Sequence, residues 1–408
     1  MLKKVIITGI LLSTVTSALL AGGNATNRAA SSARLDGLGM NVYMVEDNFN
    51  IWANPAFIEK YQSEATVNLQ GQNTASVMAG GSVGTTAGTF GVYFGRPSRD
   101  LTGTMTSPVN GIAYAAPGTP PAGVNQFDLF YGIGLGEDID MGVRLSRKGN
   151  DQSSSTSAGT VTTDTENYTS EYEIEGGVVV KSIGLDVSMA LGFPNYRDVS
   201  NTPGGDVGIE DDGAFYLTVQ GGYNLVLDEA SKLRITGYLG TFNNNSKQVA
   251  TGSSASRDES AFALNALVTY DTKVAETTTL YLSTGIAYNS YTAQLKNDVP
   301  ATGKEESSQL LIPIVGAVEA EVNPEWTARV GASINNFAIY SHQKTEVVGA
   351  SSTESSTTTP MNVGLNLGLG YAPIEDVDID VAIRQGNLFS GNNLLDSLSS
   401  KVTGTYRF

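Results

Sequence analysis

The sequence predicts an all-β fold, an antiparallel transmembrane β-barrel of fourteen to sixteen strands with sixteen favoured, on three observations. Apolar residues alternate with small or polar ones in segment after segment. Short turns and long polar connections join these segments by turns. No apolar run after residue 23 is long enough to cross a bilayer as a helix, so any span must be built of strands.

The alternation is clearest near the C-terminus. Met361, Val363, Leu365, Leu367, Leu369 and Tyr371 fall on one face, and Asn362, Gly364, Asn366, Gly368 and Gly370 on the other, because side chains alternate across a strand. Next, Val377, Ile379, Val381 and Ile383 oppose Asp376, Asp378, Asp380 and Arg384. In a barrel the charged face turns to the lumen. The same pattern runs through Phe127–Leu135, Leu185–Phe193 and Phe215–Leu225. Phe193, Tyr223, Tyr270, Tyr288 and Tyr371 stand near segment ends, where interfacial aromatic girdles belong.

Short connections at 136–138, 181–184, 228–230, 271–276, 323–325 and 372–375 read as periplasmic turns. The Ser-, Thr-, Gly- and Asn-rich stretches 149–168, 196–211, 243–258, 294–307 and 343–358 read as extracellular loops. The proline-bearing connection 97–124 packs inward or over the mouth, and composition leaves both open. Counting a first hairpin at 63–70 and 75–84 gives sixteen strands; without it fourteen remain. The last segment puts Val402, Tyr406 and Phe408 on one face, and an even-numbered barrel closes it against the strand near 63–70. Its form is similar to the C-terminal signal read by the barrel-assembly machinery of bacterial outer membranes.

Residues 1–23 read as a signal peptide: Lys3 and Lys4, an apolar run from Val5 to Leu20, then small residues. Gly23 stands where a lipid-bearing Cys would be needed, so no lipid anchor is expected. Together these place the chain in the outer membrane of a Gram-negative-type bacterium with both termini periplasmic. The absence of Cys and a single histidine, His342, leave no disulfide, no clustered metal site and no catalytic constellation to nominate. No cofactor is expected, and the chain reads as a non-enzyme. A net charge of −17 argues against a nucleic-acid partner. The expected partners are the lipid bilayer, the assembly machinery through Phe408, and a small hydrophobic ligand; the oligomeric state stays open.

Residues 24–62 lack the alternation and divide the chain into a leader, a plug segment and a barrel over 63–408. They carry Leu35-Asp36-Gly37-Leu38-Gly39-Met40, then Glu46-Asp47 and Trp52-Ala53-Asn54-Pro55-Ala56. In this order the stretch resembles the N-terminal plug of the outer-membrane fatty-acid and hydrocarbon transporters of the FadL/TodX type, including PorV-like barrels. The resemblance implies a plug motif at Asn54, Pro55 and Ala56. Two readings of the motif remain: a compact plug turn held by Pro55, or an Asn-Pro helix start with 56–61 as a short helix. Phe57 and Ile58 depart from the family pattern, as does the lack of a helical surface pair among the long loops.

The inferred lumen face is mixed. It carries Glu171, Glu173, Glu175, Glu319, Glu321, Asp376, Asp378 and Asp380 together with Arg144, Arg234, Arg329, Arg384 and Arg407, and the aromatics Phe130, Tyr216, Tyr238 and Tyr281. The charges make either a network that holds the plug or the lining of a hydrated, cation-preferring pore, and the network is favoured because buried unpaired charge is costly. The expected function is passage of small hydrophobic molecules, such as long-chain fatty acids or hydrocarbons, through a plugged barrel. A general diffusion porin and a structural or adhesive surface barrel are the alternatives.

Overall fold

Strand formation follows the alternation. The computed structural model describes residues 32–71, 76–96, 125–158, 161–202, 205–211, 213–249, 255–297, 303–347, 353–355, 363–385 and 398–408. The leader, residues 24–31 and the connection 97–124 therefore lie outside the described residues. In chain order the strands are β1 (Glu64–Gly71), β2 (Ser76–Thr85), β3 (Gly88–Phe94), β4 (Asn125–Leu135), β5 (Ile139–Ala158), β6 (Val161–Val180), β7 (Leu185–Thr202), β8 (Gly205–Asp211) and β9 (Phe215–Val226). They continue as β10 (Ser231–Val249), β11 (Ala255–Ala275), β12 (Thr278–Asn297), β13 (Gly303–Asn323), β14 (Trp326–Val347), β15 (Thr353–Ser355), β16 (Val363–Ile374), β17 (Val377–Gln385) and β18 (Leu398–Arg407).

These eighteen segments form sixteen staves. β8 and β9 both pair with β7 and β10 and are two halves of one interrupted strand. β15 and β16 both pair with β14 in the same manner. Each stave pairs antiparallel with its chain neighbour, and β18 closes on β1 from Glu64↔Arg407 to Gly71↔Ser400. Closure leaves no free sheet edge, which is what allows strands to stand in hydrocarbon.

The polarity of the wall is inverted relative to a soluble protein. Val92, Leu129, Ile174, Met189, Leu239, Ile286, Leu367 and Ile383 are exposed, whereas Asp128, Arg144, Glu175, Thr218 and Asn366 are buried. Such a continuous apolar exterior far exceeds the patches a soluble monomer shows. It belongs against lipid. Aromatic side chains mark its two borders: Tyr223 and Phe215 on β9 are eight residues apart, about 27 Å along a strand at about 3.4 Å per residue. Strand tilt of about 35–45° projects that span to about 19–22 Å, a little under the expected apolar height of about 25 Å. At the border formed by the short turns, Trp326 stacks on Tyr371 with ring centroids 4.4 Å apart.

The five stretches expected as extracellular loops are largely strand. β5 and β6 stay paired from Gly149↔Ser170 to Ala158↔Val161, and β7, β8 and β10–β15 likewise run through the polar stretches. The ladder uses backbone groups only, Thr is a good strand former, and each extended strand has an extended neighbour to pair with. Apolar alternation therefore marks the part of each strand in lipid and misses the part above it. The wall is uneven: β5–β7 and β10–β14 have 18 to 22 residues, but β1–β4 and β16–β18, apart from the three-residue half β15, have 7 to 12.

Residues 32–62 sit inside the ring, since they touch inward side chains on opposite sides of it. A short helix, α1 (Ala33–Leu38), is capped by Ser32 and ended by Gly39, and it packs on β14, β16, β17 and β18. Two 3₁₀ turns follow, Asn48–Trp52 and Pro55–Glu59, the second packing on β3–β6.

Candidate functional site

This segment packs against inward side chains of the wall, and each part of it is fixed by a recognisable local cause. Asn54 caps the turn Pro55–Glu59 by accepting from the Ala56 N–H at 3.0 Å, with Pro55 at the position where a missing N–H costs nothing. Both readings of Asn54-Pro55-Ala56 thus merge: it is a helix start, of 3₁₀ type, folded as a compact turn. Asn54 Nδ2 also donates to the carbonyls of Val178 and Val187 at 3.2 Å each, and these residues are register partners on β6 and β7. Ser188 Oγ donates to the Ala53 carbonyl at 2.7 Å. Replacing Asn54 by Ala removes the cap and both strand contacts, a loss of about 2–3 kcal/mol in seating this turn. Limited proteolysis of the folded protein at Lys60 is expected to run about 30-fold faster or more in N54A.

The wall is shaped to receive the turn. A Cβ at Gly177 would overlap Asn54 Oδ1, and one at Gly142 would overlap the Pro55 carbonyl. On the other side a Cβ on Gly37 of α1 would stand 2.8 Å from the Gly368 Cα. These glycines read in the sequence only as a small face. Their purpose depends on which backbone approaches them, and no strand pattern encodes that.

Trp52 joins the segment to β2–β5. It is buried, packs edge-on against Tyr93 and Phe130 at 5.1 and 5.0 Å, and lies under the guanidinium groups of Arg96 and Arg144 at 5.0 and 5.8 Å. Arg96 pairs with Asp128, and Arg144 with Glu173 and Glu175. A second network lies at the turn end, opposite. Arg34 on α1 pairs with Glu319 at 2.9 Å and Asp47 at 3.5 Å, Arg329 bridges Glu319 and Asp380, and Tyr281 donates to Glu319. Burial opposes the charge on Arg34, and the hydrogen bond and charge of Glu319 with the charge of Asp47 more than offset it, raising its pKa well above the usual arginine value.

The remaining candidates are distributed as follows. Phe130, Tyr216, Tyr238 and Tyr281 are all buried on the inner face, and Tyr216 donates to both Glu171 and Glu173. Arg234 pairs with Asp186 and donates to the Tyr43 carbonyl. Arg384 is buried and feels the charge of Asp36. Four positions differ from expectation. Glu321 is exposed at the end of β13, where a bulge between Glu321 and Asn323 precedes the turn. Asp376 lies in the turn itself. Asp378 and Arg407 pair at the rim at 2.7 Å with half of the Arg407 side chain in solvent, so they close the turn end rather than line the lumen. Alternation gives the face but not the height along the barrel. Sequence reading missed Arg34, Asp47, Arg96 and Lys401, because the first two lie outside any strand pattern and the others gain meaning only from their partners Asp128 and Asp36.

No family model matches the chain, and no curated protein matches it. Among solved structures it is similar to a Pseudomonas aeruginosa FadL homologue, at 10% identity and a TM-score of 0.46, over 93% of this chain and 98% of that one. It is also similar to the Pseudomonas putida toluene transporter TodX, at 10% identity and a TM-score of 0.44, over 93% and 97% of the two chains. The Ralstonia pickettii toluene transporter TbuX gives 11% identity and a TM-score of 0.41 over 94% and 100%. Similarity of this degree leaves the function to be read from the lumen itself.

Proposed function

We propose that the protein is an outer-membrane channel for small hydrophobic molecules, with residues 24–62 as a plug that is reshaped during passage and both termini on the periplasmic side. The observation that supports this reading is the apolar contact between the interior segment and the wall. Met40, Val42, Met44, Val45, Phe49, Ile51 and Trp52 form one apolar cluster with Met78, Tyr93, Phe130, Tyr281, Val315 and Ala317 of the wall. An open diffusion pore has no use for an apolar core at its centre, whereas a gate for apolar cargo does. The charged groups favour the network over a cation-lined pore, since Arg144 and Arg329 of the wall pair with carboxylates beside them. Purification in mild detergent followed by mass spectrometry of extracted ligands is expected to yield an apolar compound. Finding none, together with large steady currents from the wild-type protein, sinks this reading.

Phe408 fits the proposed hand-over to the assembly machinery. It is exposed, beside Tyr406 on the outer face, and its N–H donates to the Ser63 carbonyl across the closing seam. Phe408→Ser is expected to slow barrel assembly in cells several-fold, read as the fraction of chain that migrates as unheated, compact barrel on a gel. Unchanged assembly removes the role for Phe408.

A further inference from the structure

One side of the interior is densely charged, and the other mixes apolar side chains with mostly uncharged polar ones. Along β5, β6, β7 and β9 the inward positions are polar: Lys148 and Glu171, then Ser146, Glu173 and Tyr216, then Arg144, Glu175 and Thr218, then Ser188 and Gln220. Hydrogen bonds and ion pairs cross-link this face from row to row.

On β10–β13 the inward positions read differently. Phe242, Ala261 and Tyr291 fall in one row of the register with Ser307, Ala263 in the next with Gln309, and Tyr238 and Ala287 below it with Asn265. Then come Leu267 and Gly285 with Thr236, Val315 with Arg234, Thr269 and Ser283, and finally Tyr281 and Ala317 with Asp271, so an apolar line runs between polar neighbours that are mostly uncharged. The upper part is a buried apolar cluster of its own, Tyr238, Ala261, Ala263, Tyr291 and Ala293 with Phe242 against it. The lower part, Leu267, Tyr281, Val315 and Ala317, belongs to the plug cluster. Successive rows on one face of a strand are about 7 Å apart and neighbouring strands about 4.8 Å, so most steps along this line are about 8 Å and the step from Leu267 to Val315, which crosses two strands, is about 12 Å. Among the described residues, this chain's own apolar loop, Met40 to Val45, packs against the lower end. That loop is tied internally, Asn50 Nδ2 donating to the Val42 and Val45 carbonyls, and methionine side chains at both of its ends give it an adaptable surface.

We infer that the β10–β13 wall is the track for an uncharged apolar cargo, running from Phe242 and Tyr291 down to Tyr281 and Ala317, where the cargo replaces the Met40–Val45 loop. The inference rests on the transport reading above and adds which side of the lumen carries the cargo. The polar wall is excluded for the cargo because entering it would strip partners from buried carboxylates and guanidinium groups.

The two walls offer a matched test. Ala263 and Ala190 are both buried alanines on the inner face, one on the track and one on the polar wall. The wild-type protein, A263D and A190D are reconstituted in liposomes, and naphthalene entry is followed by its fluorescence against protein-free liposomes. Uptake is expected to fall at least tenfold in A263D and to stay within twofold in A190D. The milder pair A263N and A190N, checked for compact migration on an unheated gel, repeats the comparison should a buried aspartate prevent folding. Equal loss at both positions, or none at Ala263, overturns the track while leaving transport intact. Wild-type liposomes that take up naphthalene no faster than empty ones overturn the transport reading itself.

Discussion

Deleting residues 32–62 is expected to convert a closed barrel into an open, ion-conducting one, with single-channel conductance in planar bilayers at least tenfold above the wild-type protein. A sixteen-stranded barrel is wide enough to hold an aqueous channel once nothing fills it. The wall should survive the deletion, because its main charge pairs are internal to it: Arg144 with Glu173 and Glu175, Arg96 with Asp128, and Arg329 with Glu319 and Asp380. Glu319 loses Arg34 and keeps Arg329, and Lys401 loses Asp36; the deletion takes out the carboxylates of Asp36, Glu46, Asp47 and Glu59 with the cations Arg34 and Lys60, so the rise in current is expected without a gain in cation preference. Compact migration on an unheated gel reports the wall independently of conductance. If the intact protein already conducts as much as the deletion variant, the segment stoppers nothing and the barrel is a diffusion pore.

How much of this was legible beforehand depends on what each residue has to know. Strand faces need only their own two-residue period, so Leu365, Leu367 and Leu369 could be placed outward and Asn366 inward, and both positions hold. Closure was legible as well, since an even number of antiparallel strands brings Arg407 back to Glu64. Strand length was not. Polar pairs such as Gly149↔Ser170 carry no apolar alternation, yet the backbone ladder continues wherever a neighbour supplies partners. Height was not legible either, which is why Glu321 and Asp378 share a parity with Glu319 and Asp380 and end at the rim instead of in the network. The interior segment was readable as different and at Asn54-Pro55 as a turn, but its charged contacts were hidden. Arg34 meets Glu319 across 285 residues of chain, and no local pattern links them.

The most discriminating single substitution lies on β6. Gly177 and Gly176 are neighbours on β6, and the period of the strand sends them to opposite faces. A Cβ at Gly177 overlaps Asn54 Oδ1 and comes within 3.1 Å of Pro55 Cδ, whereas one at Gly176 meets nothing within 4 Å. Gly177→Val must therefore push Asn54 away from the Val178 and Val187 carbonyls, adding about 1–3 kcal/mol of overpacking to the lost hydrogen bonds. Gly176→Val adds an apolar side chain on the lipid face and should change stability by no more than about 0.5 kcal/mol. The expected results are a tenfold or greater rise in both ion conductance and Lys60 cleavage for G177V, and wild-type behaviour for G176V. Should both variants behave alike, the turn at Asn54-Pro55 is not seated on β6, and the contact that fixes this end of the segment must be sought elsewhere. A difference in the expected direction ties a single wall glycine to closure of the lumen, through the carbonyl pair that Asn54 bridges.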